Sequence, residues 1–117
     1  MRKKINLKQY SCEIIFIVSD QIVKETNRIL KQNKINNRID YAIEGIFLYH
    51  DIDKYYVLLD KNSMSHNTIA HELYHASVRI TEDRDISDEE SQAWLCGHLS
   101  ANMYKFLDKN KIKIKYE

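Results

Sequence analysis

The chain contains no proline and only two glycines, Gly45 and Gly97. Its turns must therefore be built from Asn, Asp and Ser, which reach unusual backbone angles less freely than glycine. It has two cysteines, Cys12 and Cys96, far apart and without a C-x-x-C spacing. That excludes a disulfide framework and a cysteine zinc site, and both thiols are expected to be buried. No apolar run approaches the roughly 20 residues of a membrane span; the longest, residues 14–18, has the length of a strand. The lysine-bearing start lacks the apolar core and cleavage site of a signal peptide, so a cytoplasm is the expected compartment. Charge of one sign is missing too. A net charge of +1 gives no pull toward nucleic acid or an anionic membrane, and the lysines near both ends read as solvated charge.

What is present is ordinary soluble-protein composition, 44% hydrophobic and 30% charged, in 117 residues, which is enough for one domain without a separate recognition module. Residues 11–18, SCEIIFIV, are apolar and β-branched and read as a buried, central strand. Asp20 is placed to cap a helix over residues 21–32, where Ile22, Val23, Thr26, Ile29 and Leu30 recur at helical spacing to pack on a sheet. After a polar, turn-rich stretch at 33–40, residues 41–49 and 55–59 are two aromatic, β-prone runs separated by a short polar segment, a hairpin pattern. A polar loop, 60–66, leads into a helix capped by Asn67. A charged connection, 81–87, precedes a second long helix over 88–107 with Leu95, Cys96, Leu99, Met103 and Phe106 on its core face. Residues 109–117 alternate lysine with isoleucine and read as a short strand or a frayed end. The expected fold is α+β: a small mixed or antiparallel sheet, a packing helix, the helix after the hairpin, and a long C-terminal helix.

The helix after the hairpin, NTIAHELYHASVRI, carries His71, Glu72 and His75 in the order H-E-x-x-H. Residues four apart share a helix face, so His71 and His75 can offer two imidazole nitrogens to one zinc ion. Glu72 beside them can take a proton from a water that the metal has acidified. Ile69, Leu73, Ala76 and Ile80 form an apolar stripe that makes the helix credible. The hairpin's second strand runs immediately upstream of these residues. An edge strand there would be able to receive an extended peptide by strand addition.

A catalytic zinc usually has three protein ligands. Glu89, Glu90 and His98 are the candidates for the third. Glu90 shares a helix face with Ala93, Trp94, Gly97 and Ala101, small residues apart from the tryptophan, which would let this helix approach the histidines closely. Glu89 lies nearer the apolar stripe, and His98 points to one side. Ser87-x-x-Glu90 also spells a capping box, a competing use for the same carboxylate. His50, His66 and His98 read as surface or supporting histidines, and Tyr74 and Tyr104 as packing residues able to polarise a carbonyl.

HELYHA followed by DEESQAWLCGHL resembles the small H-E-x-x-H proteins of bacteriophages, a minimal gluzincin-like metallopeptidase pattern. The likeness extends upstream through GIFLYHDIDKYYVLLD and covers residues 41–107. It implies one zincin-like metallopeptidase domain over residues 1–117, with His71, His75 and Glu90 as zinc ligands and Glu72 as general base. It also implies a peptide or protein substrate and action in a host bacterial cytoplasm. The glycine and third histidine that follow the motif in metzincins are absent. The alternative is a zinc-stabilised phage protein that grips a host protein without cleaving it.

Overall fold

The computed structural model describes residues 1–115, and the expectation for residues 109–117 therefore falls partly outside them. The strand predicted from SCEIIFIV is β2, Cys12–Ser19, and it lies inside a four-stranded mixed sheet of order β1-β2-β4-β3. β1, Arg2–Leu7, pairs with it antiparallel, and β4, Lys54–Asp60, pairs with it parallel. β3, Gly45–Asp51, is antiparallel to β4 and forms the far edge. β1 was not foreseen: among RKKINL only Ile5 and Leu7 are buried, and two inward positions among lysines are too few to announce a strand. The hairpin corrects one expectation. Its second strand, β4, is buried between β2 and β3, so the open edge belongs to the first.

The alternation of β2 divides the core. Ile14, Phe16 and Val18 face α2, His66–Glu82, and α3, Glu89–Lys109, together with Tyr55, Val57 and Leu59 of β4. Ile17 faces α1, Ile22–Gln32, with Tyr56 and Leu58 of β4. The result is α1, sheet, then the α2–α3 hairpin, in three layers. Among the described residues no helix is long and apolar enough to cross a membrane. Cys12 and Cys96 are free and half-buried rather than fully enclosed, and burial pushes the Cys12 thiol up.

Scarce glycine leaves its mark at the helix ends. Lys34, Asp85 and Lys111, just past α1, α2 and α3, have φ of 59°, 57° and 56°, the left-handed region usually given to glycine. Each is followed by an isoleucine whose N–H reaches back: Ile35 to the Leu30 carbonyl, Ile86 to Thr81 and Ile112 to Leu107, at 2.9, 2.9 and 3.0 Å. Ile86 and Ile112 also pack on the core, so burial of this side chain offsets the backbone cost of the residue before it.

Arg84 fastens the far end of α2. Its guanidinium donates to the carbonyls of Tyr10, Ile52 and Ile80 and to the Tyr55 hydroxyl, linking the turn after β1, the β3–β4 turn and α2. The Tyr55 hydroxyl donates to Asp83 Oδ2 at 2.6 Å; burial and this bond push its pKa up to about 12. The C-terminal end of α2 is thereby fixed against the hairpin.

Candidate metal centre

Ser65 caps α2, its hydroxyl accepting the Thr68 N–H at 3.1 Å. Asn67 is inside the helix instead of capping it. The chain before the helix is held extended by the C-terminal segment: the Lys115 N–H donates to the Met64 carbonyl at 2.8 Å and the Lys115 carbonyl accepts the His66 N–H at 3.1 Å. The helix therefore starts two residues early. Asp20 likewise does not cap α1: the cap position is Gln21, which makes no side-chain bond to the helix.

Ile69, Leu73, Ala76 and Ile80 are buried against the sheet and α3. Helical spacing then turns His71 and His75 outward, and both are exposed. Their rings meet edge to face with centroids 4.6 Å apart, and their Nε2 atoms lie 3.1 Å from each other. Glu72, about 100° round the helix, faces the start of β3 and is 7% exposed. One donor atom from each of His71, Glu72 and His75 lies within 4.8 Å of the others, a group able to hold a metal ion.

Gly45 makes this proximity possible. A Cβ there would stand 2.8 Å from Thr68 Cγ2, 3.1 Å from Glu72 Cγ and 3.2 Å from Leu59 Cδ2, so only hydrogen lets the edge strand lie against this part of α2. Between them is a cleft of about 320 Å³ lined by Ile43, Glu44, Gly45, Asn67, Thr68, His71 and Glu72. Burial pushes the Glu72 carboxyl up from its ordinary value, while His71 and His75 beside it pull the other way.

Glu90 is exposed and is not a member of the metal-holding group. Two features of the α2–α3 hairpin account for its position. His66 Nδ1 lies 2.7 Å from the Tyr104 hydroxyl, which sets position 66 opposite 104 in an antiparallel pair. Moving back along α3 from Tyr104 to Glu90 corresponds to moving forward along α2 from His66 to Ile80, about 7.5 Å beyond His75. The second is the choice of packing face. Leu95, Leu99, Met103 and Phe106 meet the core, whereas Ala93, Gly97 and Ala101 are exposed, and nothing lies within 4 Å of a Cβ added at Gly97. Burying large apolar side chains outweighs the close approach that small ones would permit. The capping box is not formed either: Asp88 caps α3, accepting the N–H groups of Glu90 at 3.4 Å and Ser91 at 3.2 Å. The Ser91 hydroxyl, which donates to Oδ2 at 2.8 Å, and then those backbone bonds hold the Asp88 carboxyl below its usual value.

The remaining candidates have other partners. His98 stacks on Trp94, centroids 5.1 Å apart at 7°, and Glu89 is exposed in the first turn of α3. Tyr104 is engaged with His66, Tyr74 is exposed, and His50 lies exposed at the irregular end of β3. Reading the sequence missed Glu44 and Thr68 as cleft residues. The available signal was Gly45 itself, one of two glycines in the chain, marking a close approach beside Glu44. No known protein family, no curated protein and no solved structure matches this chain.

Proposed function

We propose that this protein is a zinc-dependent peptidase that hydrolyses a peptide bond in an extended substrate, the chemistry implied by its resemblance to small phage H-E-x-x-H proteins. The observation that carries the reading is the pairing of His71 Nε2 and His75 Nε2 at 3.1 Å with a nearly buried Glu72 at one cleft. Nitrogens about 2.0–2.1 Å from zinc on neighbouring corners of a tetrahedron stand about 3.3 Å apart, so the pair fits that ion with little adjustment. Zinc supplies a Lewis acid that activates water and draws charge from a scissile carbonyl.

The chain's own residues do the rest. His71 and His75 orient the ion, and the open edge of β3 holds the substrate main chain beside it. Glu72 accepts a proton from the attacking water and passes it to the departing amine. Its burial suits the first task, because a carboxylate with a raised pKa is a stronger base toward the water, and the proton it then holds is available to the departing amine, which is more basic still. Glu90 is the third ligand implied by the resemblance, and it would have to leave the solvent face of α3 to serve. Action in a bacterial host cytoplasm belongs to the same reading.

Metal analysis of purified protein should find about one zinc per chain. Digestion of a peptide library should then be abolished by a chelator and by Glu72→Gln, which keeps the metal because the amide is isosteric but cannot take the proton. A fully metallated wild type that cleaves nothing would favour the zinc-stabilised binding protein instead.

A further inference from the structure

The cleft beside His71 and Glu72 contains a second carboxylate to which no motif points. Glu44 immediately precedes Gly45, and its backbone is fixed by the extension of the β3–β4 ladder, its carbonyl accepting the Asp60 N–H at 2.8 Å. Its side chain is steered by a directed hydrogen-bond chain. The Ser65 hydroxyl, already accepting the Thr68 N–H, donates to Thr68 Oγ1 at 3.0 Å, which leaves the single Thr68 hydroxyl proton for Glu44 Oε2 at 3.3 Å. The close approach at Gly45 brings Glu44 and Thr68 together.

Glu44 forms no ion pair among the described residues, and no lysine or arginine lines the cleft. Thr68, which holds the Glu44 carboxylate, and Glu72 are one helical turn apart, a rise of about 6 Å along α2. That distance is one to two residues of extended chain. We propose that Glu44 is a specificity-determining residue that selects substrates carrying a cationic group next to the bond processed at Glu72. The cation is an ammonium or guanidinium, supplied by a free peptide N-terminus or by a lysine or arginine side chain. A cation in the cleft meets an oriented, unpaired carboxylate, whereas an acidic group there meets Glu44 and Glu72 together.

The inference rests on the peptidase reading for its kinetic test but has a separate binding test. One peptide sequence is prepared with a free or acetylated N-terminus, and with lysine or norleucine at its first positions. Zinc-loaded wild type, Glu44→Gln and Glu44→Lys are compared, with zinc content measured for each. Wild type should prefer the cationic peptide in kcat/KM by about fivefold, the scale of one partly exposed ion pair. Glu44→Gln should bring that ratio to about one, and Glu44→Lys should invert it. Loss of the preference on acetylation identifies the N-terminus as the source, and loss on lysine replacement identifies the side chain. Cleavage without a preference, or with one that survives Glu44→Gln, overturns the role of Glu44 and leaves the peptidase reading intact. If zinc-loaded wild type cleaves neither these peptides nor the peptide library, the peptidase reading fails and the same series is titrated calorimetrically against zinc-loaded protein. Tighter binding of the cationic peptide that is lost in Glu44→Gln then sustains the assignment; equal or absent binding overturns it.

Discussion

Replacing Gly45 by alanine sets two effects of opposite sign against each other. Neither glycine has a positive φ, so alanine is compatible with the backbone at both positions. By itself it would stabilise by about 0.4–1 kcal/mol through the lower entropy of the unfolded chain. At Gly45 the added methyl would stand 2.8 Å from Thr68 Cγ2 and within 3.2 Å of Glu72 Cγ and Leu59 Cδ2. Leu59 is fully buried and Glu72 nearly so, which leaves little room to retreat. Overpacking of this kind costs about 1–3 kcal/mol, so the net effect is destabilisation of about 1–2 kcal/mol. For a chain of this length that lowers Tm by about 4–8 °C. Gly97, inside α3 with nothing within 4 Å of its added Cβ, is the control. Gly97→Ala should raise stability by about 0.5–1 kcal/mol. Thermal unfolding of the three proteins followed by circular dichroism measures both signs. A Gly45→Ala variant as stable as Gly97→Ala would refute the account of the strand's close approach to α2.

His71→Ala and His75→Ala should each lose stoichiometric zinc, read by elemental analysis after dialysis. Glu90→Gln should change zinc affinity less than about threefold, and a loss of tenfold or more would mean that α3 brings this carboxylate to the ion on loading. Tyr55 ionises near pH 10 in the unfolded chain but only at about 12 in the fold. The native state thus holds its proton while the unfolded state releases it, and stability should fall by at most about 2 kcal/mol as pH rises from 10 to 12. Urea titrations across that range should find the decline weakened in Tyr55→Phe. Lys34→Gly and Lys111→Gly should each stabilise by about 0.5–1 kcal/mol by removing the left-handed penalty, the reverse of glycine's usual effect near helices. A lowered Tm in both variants would contradict the geometry described for these helix ends.

The order H-E-x-x-H was legible in the sequence because its meaning is local: helical spacing alone turns His71 and His75 to one side and Glu72 to a neighbouring side. The apolar stripes of α2 and α3 and the strand SCEIIFIV were legible for the same reason, since periods of 3.6 and 2 are properties of the chain itself. The caps were read less well. Asn67 and Asp20 have the right chemistry, but the extended chain paired with Lys115 moved one helix start and α1 began without a side-chain cap. Neighbouring residues decide whether a helix can form; where it begins here depends on partners about 50 residues away.

Pairing across the sheet and packing of α3 were decided only by tertiary structure. That β4 is interior and β3 the open edge follows from the parallel pairing of β4 with β2, which no local pattern encodes. That Glu90 points to solvent follows from α3 burying Leu95, Leu99 and Met103 in preference to its small-residue face. Glu44 reaches the cleft for a related reason: Gly45 lets strand and helix approach until Thr68 can bond to it. The sequence by itself determined that His71 and His75 share a helix face from which both could reach one metal ion. The folded chain decided which other side chains stand beside them, because that depends on which faces meet and how closely, and contacts between distant segments settle both.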